Sequence, residues 1–346
     1  MTNRTDIEVV ISTRSKPDVF GASTVPFKFA LVQVGIDTFV GASLDHILAA
    51  DVVCALTPFW LDWAADYYAQ RGEHSAYDRL SEKMVFCGFP FLDALKRIDR
   101  SSLYEKFDIP QNKNVILLLP ITLENKPGAW AKFFKSSNPI YRTAALLYGI
   151  VTEGADLARY FPWISNGWHD DKLNESIRSF CDANNGWLIA KGRHKDPIRP
   201  SLLEIADQIV YDDQDYPATV LQLMSISAAC IHFYSTAALE LAYLGVPGIC
   251  LDRPSPRFKE EQYPPLFHRL WRLNYEYSAY NWPGINLWLS LPQAFNSLQN
   301  TQLSHIKFDK DEQVKYLQKY VDAQYQAGQS NLSGKRILDS VTQLAI

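Results

Sequence analysis

The sequence has few of the features that would set it apart from ordinary globular proteins. Only five of its 346 residues are cysteines, and they are scattered without a CxxC spacing, so neither a zinc site nor a disulfide framework is indicated. No apolar run approaches the length of a membrane span, and the start of the chain lacks the apolar region of a signal sequence. A formal net charge of −4 gives no electrostatic reason to expect nucleic acid as a partner. We therefore expect a cytoplasmic protein with buried, reduced thiols.

What the sequence does contain is an alternation of short apolar runs and helical patterns. The runs that predict strands cover residues 7–12, 28–34, 51–56, 84–87, 115–119, 187–190, 209–211, 228–231 and 246–251. Helical patterns lie between many of them, and an amphipathic closing helix is predicted for residues 309–327. Strands alternating with helices are typical of parallel sheets, which bind ligands at the carboxyl ends of their strands. The sequence therefore predicts an α/β fold with its site in the loops that follow strands.

A turn-rich connector, DIPQNK at residues 108–113, separates two groups of predicted strands. We place the domain boundary there, which predicts a short first domain at residues 1–108 and a second domain at residues 109–300. Residues 301–346 are expected to form a helical segment that packs back on the domains.

Residues 228–252 form a strand, helix, strand unit that offers an anion site. Tyr234, Ser235 and Thr236 follow the first strand, and the hydroxyls of the last two fall where the helix begins. Unpaired backbone N–H groups and the positive end of the helix dipole favour an anion there, and two hydroxyls add donors. Glu240 lies one turn further on. The alternative is a simple helix N-cap, which needs only one hydroxyl.

Two further loops carry polar groups at the ends of predicted strands. One is Pro-Ile-Thr, ending in Thr122, and the other is KGRHK, which includes Lys191, Arg193 and His194. In a sheet wound on both faces these loops can converge with the hydroxyl turn, and cations opposite a helix N-terminus would suit a pyrophosphate. Alternatively, KGRHK is a solvated basic loop without a ligand.

Three segments carry a resemblance to a known group of enzymes. CGFPFLD at residues 87–93 looks like the interdomain link of GT-B glycosyltransferases and their relatives. WLIAKGRHKDP at residues 187–197 resembles their strand that ends in a Lys-x-His-Pro pattern, and residues 213–252 resemble their Ser-Ser helix motif. Together they are most similar to CDP-glycerol glycerophosphotransferases and to capsule transferases that use CMP-linked sugars.

The resemblance implies two Rossmann-like domains that face each other across a cleft, the first on the acceptor side and the second binding the activated donor. By position, His194 takes the place of the histidine that holds the donor phosphates. Ser235 and Thr236 take the places of the paired serines, and Glu240 that of an acidic residue that contacts the donor's polyol or ribose. The resemblance implies neither a metal nor another cofactor.

The sequence departs from this pattern where the acceptor's base is expected. Val34 stands at the position of the family's histidine in the first domain. A base must reach the acceptor hydroxyl and have a suitable pKa. Asp37, two residues after a glycine turn at a strand end, is the best candidate, His46 the second and His169 the third.

Three functions remain open from the sequence. The first is a transferase that moves a sugar or polyol phosphate from a nucleotide-activated donor to a glycan or lipid-linked acceptor, with at most peripheral association at the inner face of the membrane. The second is an enzyme related to the UDP-GlcNAc 2-epimerases. The third is a non-catalytic nucleotide-sugar binding protein, which Val34 and the short first domain favour.

Overall fold

The computed structural model contains two parallel β-sheets with helices packed around them. It describes residues 8–21, 27–35, 38–39, 42–120, 138–144, 147, 170–192, 198, 200–211, 214–233, 235–252, 276–306, 308–326 and 332–345. The predicted α/β fold with two sheets is confirmed.

Among the residues that the structure describes, the first sheet has four parallel strands in chain order. They are β1 (Val9–Ser12), β2 (Lys28–Val32), β3 (Val52–Ala55) and β4 (Met84–Phe86), arranged β1-β2-β3-β4. The helices of this part are α1 (Lys16–Phe20), α2 (Leu44–Leu48), α3 (Pro58–Ala69) and α4 (Ala76–Ser81). A link follows, made of 3-10 helices at Pro90–Arg97 and Arg100–Ser102 and of α5 (Leu103–Lys106).

The second sheet has six parallel strands in the described part of the chain and reverses its direction of winding. Its strands are β5 (Asn114–Leu119), β6 (Gly186–Lys191), β7 (Gln208–Val210), β8 (Ser227–His232), β9 (Gly248–Asp252) and β10 (Asn286–Ser290). The helices of this part are α6 (Asp170–Ala183), α7 (Pro200–Ile205), α8 (Thr219–Ile226), α9 (Ala237–Leu244) and α10 (Leu291–Asn300). The strand order is β10-β9-β8-β5-β6-β7, so the chain builds outward from β5 in one direction and then returns to build from its other side.

The apolar run of β5 shows why a parallel sheet forms here. Val115 and Leu117 lie in the apolar cluster on one face of the sheet, and Ile116 and Leu118 lie in the cluster on the other face. All four side chains are at most 1% exposed. A strand covered on both faces needs apolar residues at every position rather than at every second one.

Two C-terminal helices pack back on the structure, and the first of them contacts elements of both halves. α11 (Lys310–Tyr320) packs against both α9 and α3, and α12 (Ser333–Ala345) packs against β1, β2 and the link. The closing helix predicted for residues 309–327 therefore ends earlier than expected. Just beyond the helix, the carboxylate of Asp322 is held by Arg336 of α12, with 2.6 Å between Oδ2 and Nη2. Among the described residues, no helix combines the length and apolar composition that a membrane span requires.

Candidate functional site

The reversal of the second sheet lies between β5 and β8, which are neighbours although three strands apart in number. Leu119 at the end of β5 is in register with His232 at the end of β8, and Leu118 is in register with Ala190 of β6. The loops after β8, β5 and β6 therefore leave the same edge side by side. A crevice forms where connections diverge to opposite faces of a parallel sheet, and ligands bind in such crevices. These are the three loops that carry the predicted polar groups.

The structure describes the hydroxyl turn at the start of α9. Ser235 Oγ accepts a hydrogen bond from the Ala237 backbone N–H at 3.2 Å, which makes Ser235 a cap of this helix. Thr236 already has helical backbone angles, and its side chain makes no capping bond. Both residues are partly exposed. One hydroxyl thus meets the needs of the helix, whereas the second is not used in capping.

Two other predicted residues flank this turn. Glu240, in the first turn of α9, is partly exposed, and its charge adds to the effect of burial in raising the pKa of the Cys230 thiol. Lys191 ends β6 and is 5% exposed, and its amine donates to the carbonyl oxygen of Gly192 at 2.9 Å. The amine therefore helps to hold the start of the basic loop. Thr122, Arg193, His194 and Tyr234 lie outside the described residues.

Tyr211, which the sequence did not single out, closes the basic loop. Its ring occupies the space where a Cβ on Gly192 would lie, and its hydroxyl accepts the backbone N–H of Ile198 at 2.8 Å. Both ends of the segment that carries Arg193 and His194 therefore rest on one side chain. Only the tertiary structure reveals this role, because Tyr211 reaches the loop from the neighbouring strand's end.

His232, at the end of β8, is buried beneath the site. Neither ring nitrogen has a hydrogen-bond partner in the described part of the chain, and burial lowers the pKa of its imidazole to about 4. A Cβ added to Gly248 would lie 3.2 Å from His232 Nε2 and 2.4 Å from Asn286 Oδ1, so both side chains lie close to this glycine. This histidine therefore packs in the interior. Its neutral form is the one that the interior favours.

The corresponding edge of the first sheet offers less to a ligand. Val34, at the position of the expected histidine, packs against an apolar cluster that includes Ile337 and Val341 of α12. His46 is exposed in the five-residue helix α2, and its backbone N–H donates to Ser43 Oγ at 3.2 Å. Asp37 and His169 lie outside the described residues.

The link motif of residues 87–93 seats the C-terminal helix. Asp93 accepts the backbone N–H groups of Gly334 at 2.8 Å and Ser333 at 3.3 Å, and so caps α12. Gly88 has φ +76°, and a Cβ there would lie 2.6 Å from both Arg336 Nη2 and Ser333 Oγ. Only glycine combines this left-handed backbone with so close an approach. The glycine and aspartate of the motif are therefore explained by packing.

Comparison with known proteins gives a fold but not a family. No protein-family model and no curated protein sequence matches the chain. Two structures of variants of the wall teichoic acid polymerase TagF each align with a TM-score of 0.54. They are 11% and 12% identical, and the alignments cover 97% and 98% of this chain and 74% and 73% of theirs. The protein has a GT-B-type fold. A UDP-GlcNAc 2-epimerase from Methanocaldococcus jannaschii also aligns, with a TM-score of 0.46 and 13% identity over 98% of this chain and 77% of its own.

Proposed function

We propose that this GT-B-type protein is a transferase that moves a sugar or polyol phosphate from a nucleotide-activated donor to a glycan or lipid-linked acceptor. The observation that supports it is the meeting of three strand ends, β8, β5 and β6, at the reversal of the second sheet. The hydroxyls of Ser235 and Thr236 would hold the donor phosphates at the start of α9, together with Arg193 and His194 from the basic loop. Hydrogen bonds to a doubly charged leaving group are of the strong, charge-assisted kind.

Transfer also needs a base that deprotonates the acceptor hydroxyl. We assign Asp37 as the base, with His46 as second candidate, because both belong to the β2–β3 crossover of the first sheet. Glu240 would contact the donor's polyol or ribose, and Thr122, Lys191 and Tyr234 would complete the donor side. The fold match to TagF supports this class of chemistry. A structure of a TagF variant soaked with CDPG also aligns with this chain, with a TM-score of 0.52. We expect the protein to act in polysaccharide biosynthesis at the cytoplasmic side of the membrane.

A second candidate function is a non-catalytic nucleotide-sugar binding protein. The observation that favours it is the packing of Val34 into the apolar cluster beneath α12, since a side chain there cannot act as a base. In this case the hydroxyl turn would bind the same donors without turnover.

A thermal-shift panel tests the donor site. The full chain is titrated with CMP, CDP, UDP, GDP and their sugar or glycerol conjugates. We expect one nucleotide diphosphate or its conjugate to raise the melting temperature, because a ligand at a hundred times its dissociation constant adds about 2.7 kcal/mol of stability. If none of these ligands stabilises the protein while the fold is intact, the donor site is wrong.

Turnover then separates the two candidates. With the donor found in the panel, Asp37→Asn should retain donor binding and lose transfer or donor hydrolysis, whereas His46→Asn should retain both. Unchanged turnover in Asp37→Asn would remove our base assignment. A wild-type protein that binds the donor but neither transfers nor hydrolyses it would favour the binding protein.

A further inference from the structure

Two polar side chains converge on Gly248 from the strands on either side of it. Gly248 of β9 is in register with Cys230 of β8 and with Asn286 of β10. His232 lies two residues beyond Cys230 on β8, so its ring is on the same face of the sheet. His232 Nε2 and Asn286 Oδ1 both border the position that a Cβ on Gly248 would take. The two atoms therefore face one small space, above a residue that has no side chain.

Both atoms are buried without a hydrogen-bond partner. His232 is 0% and Asn286 4% exposed, and neither Nε2 of the one nor Oδ1 of the other is bonded to any atom of the described residues. Buried polar atoms of native proteins are nearly always bonded, either to protein or to an ordered water. A partner that reaches both atoms at once would satisfy both.

The hydrogen bonds of Asn286 fix which atom of its amide faces this space. Its Nδ2 donates to the Ala279 carbonyl oxygen at 3.0 Å and to Tyr316 Oη at 3.4 Å. Tyr316 Oη in turn donates to the same carbonyl oxygen at 2.5 Å. Because a carbonyl oxygen can only accept, a rotated amide would place one acceptor against another. The acceptor Oδ1 therefore points toward Gly248 and His232.

The imidazole supplies the matching donor. Burial lowers the pKa of His232 to about 4, so the ring is neutral at pH 7 and carries one N–H. Nδ1 also lacks a partner among the described residues. An N–H without a partner is rarer in protein interiors than an acceptor without one, so the hydrogen is expected on the nitrogen that can find an acceptor. That nitrogen is Nε2, which faces the amide oxygen.

We propose that His232 Nε2, Asn286 Oδ1 and the bare face of Gly248 form a binding site for one buried water molecule. The water accepts from the Nε2–H group and donates to Oδ1, and so connects β8 to β10 across β9. Water is the ligand that fits, because it is small and because a buried water needs at least two polar partners. His232 lies three residues before Ser235, so the water holds the strand end that leads into the hydroxyl turn. The site goes beyond the proposed function and does not depend on it.

A crystal structure of the full chain, at a resolution that shows ordered solvent, tests the site. We expect one solvent peak at hydrogen-bond distance, about 2.7–3.2 Å, from both His232 Nε2 and Asn286 Oδ1. In His232→Phe, which keeps a ring and removes the N–H, this peak should be lost. A direct bond between His232 and Asn286, or two unbonded atoms with no peak between them, would overturn the proposal.

NMR of the wild-type protein tests the same site in solution. The ring protons of His232 should show a nuclear Overhauser effect to a long-lived water, and the ring nitrogen shifts should report the Nε2–H tautomer. The exposed His74 is the control and should show no long-lived water. If His232 behaves like His74, no water is bound there. An Nδ1–H tautomer would contradict the direction that we assign to the hydrogen bond.

The stability of paired variants measures whether one water joins the two residues. His232→Phe and Asn286→Leu would each remove the water, so the urea midpoint of the double variant should shift by less than the sum of the single shifts. His232→Phe with Trp63→Phe is the control pair. Trp63 Nε1 is also buried without a partner among the described residues, but it lies in α3. The control pair should be additive, and additive shifts in both pairs would rule out the bridge.

Discussion

The two sheets use the carboxyl ends of their strands differently. In the first sheet, the segments after β3 and β4 are engaged by the C-terminal helices. Thr57 donates its hydroxyl to the Lys319 carbonyl oxygen at 2.6 Å, and Gly88 lies against Arg336. In the second sheet, the segment after β8 presents Ser235 and Thr236, which are partly exposed. The edge of the first sheet thus anchors the C-terminal helices, whereas the edge of the second sheet is a candidate ligand-binding edge.

The order of the strands explains the difference. The described strands of the first sheet follow chain order, whereas the second sheet reverses between β5 and β8. Connections that leave neighbouring strands toward opposite faces open a crevice between them, and connections on the same side do not. Changes at the first edge should therefore affect stability, and changes at the second should affect donor binding.

The largest effect is expected at the second edge. Ser235→Ala combined with Thr236→Val should weaken binding of the nucleotide diphosphate by about 3 kcal/mol, more than a hundredfold in Kd, because two hydrogen bonds to a charged group are lost. Isothermal calorimetry of the double variant measures this change in Kd. The control is Ser43→Ala, which removes the cap of α2 in the first half. An equal loss of affinity in the control would mean that the first edge also binds the donor.

A second prediction concerns acid stability. The imidazole of His232 has a pKa of about 4 in the folded protein because it is buried, against about 6.5 when unfolded. The unfolded chain therefore binds more protons between these values, and stability falls as the pH drops from about 6.5 to 4, by about 3 kcal/mol in total.

Urea unfolding at pH 7.5 and pH 4.5 checks this contribution. His232→Leu should remove it, whereas His74→Gln, which changes an exposed histidine of the first half, should retain it. A His232→Leu protein with the wild-type pH dependence would show that other groups cause the acid sensitivity.

At the first edge, Arg336→Met should destabilise the protein without changing donor affinity. It leaves the carboxylate of Asp322 without its cation, and that side chain is only 8% exposed. Loss of one partner of a buried pair costs 3–5 kcal/mol, and the partial exposure of Arg336 reduces this to about 2 kcal/mol. Lys315→Met, which breaks an exposed pair with Glu312, is the control and should leave the melting temperature unchanged. A change in donor Kd with Arg336→Met would contradict the separation of the two edges.

The smallest effect is expected for Thr57→Val. It leaves the Lys319 carbonyl oxygen without the hydroxyl that joins α3 to α11, which should cost about 1 kcal/mol in the free energy of unfolding. Thr342→Val removes a hydroxyl that donates to the Leu338 carbonyl oxygen within α12 and should cost less. Chemical denaturation of both variants decides whether the contact between the helices matters.

Much of the fold could be predicted because local patterns carry it. The apolar runs of β3, β5 and β8 and the hydroxyl turn before α9 follow from residues close in sequence. β10 was not predicted, since its run of five residues lies beyond an aromatic and proline-rich segment without a clear pattern. α12 lies within residues 301–346, which were expected to be helical, although its bounds were not predicted, and the assignment of residues 309–327 to one helix was wrong at its end. The boundary at residue 108 and the roles of Asp37 and His194 stay predictions.

The role of individual site residues was less predictable. Lys191 was expected to be a phosphate ligand, and that role stays a prediction; the bond of its amine to the Gly192 carbonyl oxygen could not be expected from the sequence. Asp93 looked like part of a family motif, and its contacts with Ser333 and Gly334 explain it as a helix cap. Such partners are distant in sequence or depend on how a side chain turns, so no local pattern reveals them.

The sequence by itself determined where strands form and which residues follow them, because alternation of apolar runs and helix formers acts over a few residues. Only the tertiary structure decided which strands are neighbours. The reversal beside β5 depends on how whole crossover helices pack against the sheet, an interaction between residues more than a hundred positions apart. That packing sets the loops after β8, β5 and β6 side by side.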